Sequence, residues 1–347
     1  GTGTLIQSGP GPLTLSDTNT FTGGMLITNG STLAVSGAGS LGAAGTSNNY
    51  IGNITNFGTF NYASSAAETF SGIVTGTGAL NETGPGELTL SGTDSYTGAT
   101  SISSNATLAL ASSGSINNTA SINLAAGGTF DVSAFGLSYS LGGSTTLRPA
   151  GTGTNAGSAA ATIVGSSGGT INVGSLVLTF KPQAFSGDAT HPVLYVSSGA
   201  LNLSGSGLTV SNAAATPLGA GTYNLIQVAS QNLSVAGTNV TVTGTGLAAG
   251  AAASLAVNGG NLNLVVVNTS VPVPVINSVV VSGNCLIFSG TNGPNNQTYE
   301  VITSTNLSTP LHLWTPIQTN SFSGTGTFSV TNSIATTNQL FFGIKIH

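Results

Sequence analysis

Charge is the scarcest property of this 347-residue chain, which carries 3 Lys+Arg and 8 Asp+Glu. That is 3% of residues, against about 25% in an ordinary soluble domain. Three basic residues cannot neutralise a run of phosphates, which excludes nucleic-acid binding. The net charge of −5 is too small to steer a charged partner. A single cysteine, Cys285, rules out an internal disulfide and a cysteine-based zinc site. It alternates with Ile287, so a buried thiol is expected, with an intermolecular disulfide as the alternative. Long hydrophobic runs are also missing. Asn263, Asn268, Pro272, Pro274 and Asn277 interrupt the most apolar stretch, 262–281, which argues against a membrane span. No basic face exists for a surface-lying helix. The chain starts at Gly1 without Met or a signal peptide and reads as a processed form.

What is present is Gly, at 51 residues, together with Ser, Thr, Asn and Ala. Hydrophobic residues make up 39%, too many for a disordered linker, and Leu, Ile and Val sit between polar β-formers. With Lys, Glu and Arg almost absent, helix is disfavoured. The expectation is all-β.

Residues 1–42 align without gaps on 76–117. Gly9-Pro10-Gly11 falls on Gly84-Pro85-Gly86, and Leu13-Thr14-Leu15-Ser16 on Leu88-Thr89-Leu90-Ser91, an offset of 75. Phe21-Thr22-Gly23 matches Tyr96-Thr97-Gly98, and Thr32-Leu33-Ala34 matches Thr107-Leu108-Ala109. Within each copy apolar and small polar residues alternate, the period of half-buried strands, and Gly-rich steps separate them. Strands this short suit a solenoid, in which coils of about 20–25 residues stack and inward side chains fill a narrow core.

The units GTGALNETGPGELTLSGTDSYTGA and NITNFGTFNYASSAAETFSG resemble the autotransporter-associated β-strand repeat, also called the passenger-associated transport repeat. The resemblance is specific over residues 1–117, with Asp17 and Phe21 departing from its Gly and Tyr positions. It implies a right-handed β-helix in a bacterial secreted or surface protein. The stretch from Thr216 to Val267 is similar to the closing segment of such proteins. The domain reading is a β-solenoid over 1–267, a Pro-containing linker over 268–274, and an immunoglobulin-like β-sandwich over 275–347. The last assignment rests on six or seven strands in about 75 residues. Its Ser304-Thr305-Asn306-Leu307 and Trp314-Thr315-Pro316 also resemble small C-terminal domains of the same proteins.

Candidate chemistry is sparse. Glu82 and Glu87 flank the Gly84-Pro85-Gly86 turn and Glu68 lies a rung away, yet Gln7 and Pro12 hold the first two positions in the other copy. They read as scattered surface carboxylates rather than a glycosidase pair. Lys181, Asp188 and His191, with Arg148 further back, read as a solvated loop rather than a lyase site. Gly165-Ser166-Ser167-Gly168-Gly169 matches the hydrolase elbow formally, but no helix pattern follows it. Asp17, Asp94, Asp131 and Asp188 are singles, unlike a calcium loop. Sequons such as Asn53-Ile54-Thr55 and Asn105-Ala106-Thr107 are expected by chance in this composition. No catalytic residue, cofactor or metal is expected.

The remaining reading is a polymer. Solenoid ends expose unpaired backbone and apolar core, and such proteins normally carry polar caps. Here repeat grammar begins at Gly1, which places Leu5, Leu13 and Leu15 in an open first coil. The expected partner is another copy, covering that coil head-to-tail in an extracellular fibre or matrix. The alternative is an adhesin stalk whose last domain holds a glycan or cell surface, with Tyr299 and Trp314 as stacking residues. For those two aromatics, sandwich core is the competing expectation.

Overall fold

The computed structural model describes residues 1–42, 48–151, 160–269, 272–294, 296–334 and 339–346. The chain divides into two units, Gly1–Asn268 and Thr269–His347. Among the described residues there is no α-helix, only 3-10 turns at Ser133–Phe135 and Leu311–Leu313. Among the same residues no helix is long and apolar enough to cross a membrane.

The first unit is a stack of parallel strands on three faces. One face is a ten-stranded sheet running from Leu13–Leu15 to Asn239–Gly244. A second ten-stranded sheet begins at Asn49–Tyr50. The third face holds two four-stranded sheets, beginning at Leu5–Gln7 and Ser138–Ser140. Each coil lays an apolar residue directly on its predecessor: Leu13 on Leu33, Leu33 on Phe60, Phe60 on Leu80. Burial alternates along the strands, so Leu88 and Leu90 are fully enclosed while Thr89 between them is half-buried. Coils lengthen along the chain. Early ones step from Leu80 to Thr100, later ones from Leu176 to Leu208. The later coils exceed the length expected from the repeat because six-residue strands and loops such as 181–193 replace its tight turns.

The two sequence copies build the same local structure. Thr18 bridges Ser40 and Thr93 bridges Ser115; Leu13 pairs with Leu33 and Leu88 with Leu108. Gly23 and Gly98, the glycines of the aligned Phe/Tyr-Thr-Gly triplets, meet the same constraint. A Cβ on either would stand 2.0 Å from the carbonyl oxygen of the coil beneath, Gly3 or Gly78. Even so, the copies occupy different faces. Leu5–Gln7 lies on a four-stranded sheet, whereas its counterpart within Ala79–Glu82 lies on a ten-stranded one. The chain returns to the face of Leu5 at Val74, after Met25 and Ile54. An offset of 75 overshoots that return, so the second copy is set one face further round.

Polar side chains satisfy one another along the stack. Asn202 donates to Asn172 Oδ1 at 2.9 Å, and Asn172 donates to Ser140 Oγ at 3.0 Å. Uncharged Asn, Ser and Thr repeat in such ladders without the repulsion that stacked charges would bring. The stack ends in an antiparallel hairpin, Ala251–Asn258 with Asn261–Asn268, whose second strand pairs with Gly221–Val228.

The second unit has two three-stranded antiparallel sheets. In one, Cys285–Thr291 lies between Val275–Ser282 and Phe328–Ser333. In the other, Thr298–Ser304 lies between Thr315–Ser321 and Phe341–Ile346. Phe288, Tyr299, Val301, Phe322, Phe328 and Val330 form its core.

Candidate functional site

The acids are where sequence and structure part most. Glu68 and Glu82 are fully buried, and Asp94 is 3% exposed. The surface expectation is therefore corrected for Glu68 and Glu82, while Glu87 does lie on the outside. The reason is strand parity. Glu68 sits two residues before the inward Phe70, and Glu82 two after the inward Leu80. Asp94 similarly precedes the enclosed Tyr96.

Each buried carboxyl ties down the backbone of the stack with one oxygen. Glu68 Oε1 accepts N–H bonds from Leu41, at 2.8 Å, and from Gly42. Asp94 Oδ1 accepts from Val74 N–H at 2.7 Å, and Glu82 Oε1 from Gly84 N–H at 3.1 Å. The second oxygen of each has no protein partner. Burial pushes the pKa of Glu68 and of Asp94 up to about 7 and that of Glu82 up to about 9, although the donated N–H bonds oppose it. No group of three or more ligand-type side chains surrounds them among the described residues. Inside the apolar core they brace the stack, Glu82 as the neutral acid at pH 7 and Glu68 and Asp94 close to their half-titration point.

Gln7, which aligns with Glu82, shows what that position requires. Its amide nitrogen donates to the carbonyls of Gly9 and Gly11, at 3.3 and 2.6 Å, inside the Gly-Pro-Gly turn. A protonated carboxyl presents one O–H donor where an amide presents two N–H donors; a carboxylate offers acceptors only. Glu82 accepts from Gly84 N–H where Gln7 donates to Gly9 and Gly11 carbonyls, so the two copies hold the turn with opposite hydrogen-bond polarity.

The other sequence candidates do not converge. Asp188 is buried and accepts from Gln183 N–H at 2.8 Å and lies 2.7 Å from His191 Nδ1. Burial alone would raise its pKa, but those bonds outweigh it and the net shift is downward. It organises the loop, which is less solvated than expected, while Lys181 and Arg148 face outward. Ser166 donates its hydroxyl to Gly136 O in a turn leading directly into the strand Thr170–Asn172, so no nucleophile elbow forms. Cys285 is half-exposed rather than buried.

Tyr299 and Trp314 also require correction as glycan-stacking residues. Tyr299 packs 4.4 Å from the Phe322 ring, and Trp314 donates its indole N–H to Thr309 O at 2.7 Å. Both are buried, so their faces contact protein.

Leu5, Leu13 and Leu15 are half-buried, packed against the core below them. Their strands pair on one side only. At the other end of the stack Ala251, Ala253 and Leu255 of the hairpin, with Val240 and Val242, form a second half-buried apolar layer. The first coil carries one charged side chain, the exposed Asp17, and the hairpin at the other end carries none.

A family model described as the passenger-associated-transport-repeat matches residues 5–35 and 80–110. The chain carries two passenger-associated transport repeats. Each match spans one strand pair and the first strands of the next coil, the segments where the duplicated contacts occur. Such repeats place the protein broadly among secreted or surface-exposed proteins. No curated protein and no solved structure matches the chain.

Proposed function

We propose that this chain is a non-enzymatic structural subunit of an extracellular bacterial fibre or matrix, assembling head-to-tail through its solenoid. The observation that carries this reading is the pair of half-buried apolar layers, Leu5/Leu13/Leu15 at one end and Ala251/Ala253/Leu255 at the other. Coil-on-coil stacking already supplies the geometry needed to cover them, and a heterologous contact that does not close extends into a filament. Scarce charge lets copies approach without repulsion. Within this reading the solenoid is a right-handed β-helix and the second unit an immunoglobulin-like domain, with no cofactor and no chemistry. An adhesin stalk is the second reading. The burial of Tyr299 and Trp314 removes its proposed contact residues and leaves it without a named ligand site.

The test is sedimentation of the intact chain beside Leu13→Lys, over a concentration series. A half-buried lysine at the layer keeps its head group in water in the free chain but loses it on docking. Intact protein is expected to form growing polymers and the variant to remain small. Equal sedimentation of both at every concentration would overturn the reading.

A further inference from the structure

An asparagine followed by glycine is open to attack by its own backbone, since glycine places no Cβ beside the attacking nitrogen. The chain has three such steps, Asn29-Gly30, Asn258-Gly259 and Asn292-Gly293. Two of them are tied down. Asn292 donates its side-chain amide to Val273 O at 2.9 Å, and Gly293 N–H donates to Gly326 O at 2.9 Å, so neither reacting group is free. Asn258 closes the antiparallel hairpin opposite Asn261. The turn beyond it is held by Val228 N–H, which donates to Gly260 O at 2.9 Å. Gly260 also packs so closely that a Cβ on it would stand 2.7 Å from Gln231 Cα. Closing a ring at Asn258 would pull a ladder pair and this coil contact apart.

Asn29-Gly30 carries neither restraint. The turn 28–31 is closed by one bond, Ser31 N–H to Thr28 O at 3.1 Å, which leaves the Gly30 N–H unused. Both residues are exposed, and the Asn29 side chain makes no hydrogen bond among the described residues. A Cβ at Gly30 would meet nothing within 4 Å. The same four-residue turn recurs up the stack at 103–106, 125–128, 203–206 and 235–238, each with the fourth N–H bonded to the first carbonyl. Its third residue is left-handed in every case, with Gly30 at φ +77°, Asn105 at +61° and Gly127 at +77°, so glycine or asparagine is favoured there. The second residue has no such requirement, and Ser104, Ala126, Ser204 and Ala236 fill it in those coils. Among these turns, 28–31 alone puts asparagine directly before the left-handed glycine.

We propose that Asn29 is a site of spontaneous deamidation in the folded chain. Gly30 N loses its proton and bonds to Asn29 Cγ, and the side-chain nitrogen leaves as ammonia. Water then opens the cyclic imide. Breaking the bond from Gly30 N to Cγ gives aspartate; breaking the bond from Gly30 N to the Asn29 main-chain carbonyl carbon gives isoaspartate. Net, one water is consumed and one ammonia released, without oxidant or enzyme. Ring closure here disturbs only the turn's single bond. Thr28 N–H donates to Gln7 O at 2.9 Å, so the new carboxylate stands over the first coil of a chain with only 8 Asp+Glu. The reaction needs one chain and is independent of polymer growth.

The experiment incubates the folded intact chain and Asn29→Ser at pH 8 and pH 5, beside the intact chain unfolded in guanidinium. Ammonia and the mass of each Asn-Gly peptide are followed. Serine stands at this position in the second copy, so the variant keeps the turn. In the folded chain Asn29 is expected to convert several-fold faster than Asn258 and Asn292, to a mixture of aspartate and isoaspartate. Conversion should be faster at pH 8, where more of the Gly30 nitrogen is deprotonated. In guanidinium the three steps should converge on similar rates, and Asn29→Ser should lose the early ammonia. A folded chain in which Asn258 or Asn292 keeps pace with Asn29 overturns the proposal. So does an Asn29 that stays intact in the folded chain while the unfolded chain converts, or early ammonia release unchanged in Asn29→Ser.

Discussion

Thermal stability of the intact chain is expected to be greatest in mild acid and to fall as pH rises toward 9, and Glu82→Gln should remove much of that fall. The ordinary value for Glu82 is 4.5, and burial raises it to about 9 in the fold. Below 4.5 the carboxyl is protonated in both folded and unfolded chains, so the full stability is present. Between 4.5 and 9 the unfolded chain ionises while the folded one holds its proton, and each pH unit costs about 1.4 kcal/mol. At pH 7 the Glu82 contribution is at most about 3.5 kcal/mol by that linkage. Glu68 and Asp94, raised to about 7, add loss over the window from about 4 to 7. Glutamine cannot ionise, and Gln7 already holds the equivalent position with its amide donating to the turn. Glu82→Gln should therefore be stabilising by about 2–3 kcal/mol at pH 7 and nearly neutral at pH 4. Urea unfolding at the two pH values checks this. A variant equally destabilised at both would show that a carboxylate, not a neutral acid, fills the site.

Gly98→Ala is expected to destabilise the solenoid by at least about 3 kcal/mol, among the largest effects of a single methyl group. The added Cβ would lie 2.0 Å from Gly78 O, 2.4 Å from its carbonyl carbon and 2.9 Å from Ala79 N. All three are backbone atoms of the coil beneath, and that coil is held by its own bonds, such as Ala79 N–H to Gly58 O. Relief would require coils to separate, breaking parallel pairs on both sides. Gly143→Ala supplies the control, since a Cβ there meets nothing within 4 Å. Chemical denaturation should leave the control within about 0.5 kcal/mol of the parent. Similar losses for both would mean that close coil approach is not what the glycine serves.

Much of this molecule is legible in the sequence because its grammar is local. Alternation at Leu88-Thr89-Leu90 marks a half-buried strand, and Gly84-Pro85-Gly86 marks the turn before it. The strands of the second unit follow from the same signals. What the alignment conceals is rotation about the stack. Thr18–Ser40 and Thr93–Ser115 are the same contact on different faces, since a repeat specifies its own coil and not the number of residues between copies. The buried acids had a readable sign that residue type masked. Glu82 shares parity with Leu80, and Glu68 with Phe70, so the period that sends the apolar residue inward carries the acid with it. Tyr299 and Val301 share parity in the same way, which places that tyrosine in the core.

Cryo-electron microscopy of the intact chain at rising concentration shows whether coil stacking continues from one chain to the next. The expected images show unbranched growth in which Leu5, Leu13 and Leu15 of one copy lie buried against the last coil or hairpin of another, with strand rungs about 4.8 Å apart across the junction. Dispersed single particles at every concentration, or filaments whose junction leaves those leucines in solvent, would contradict it.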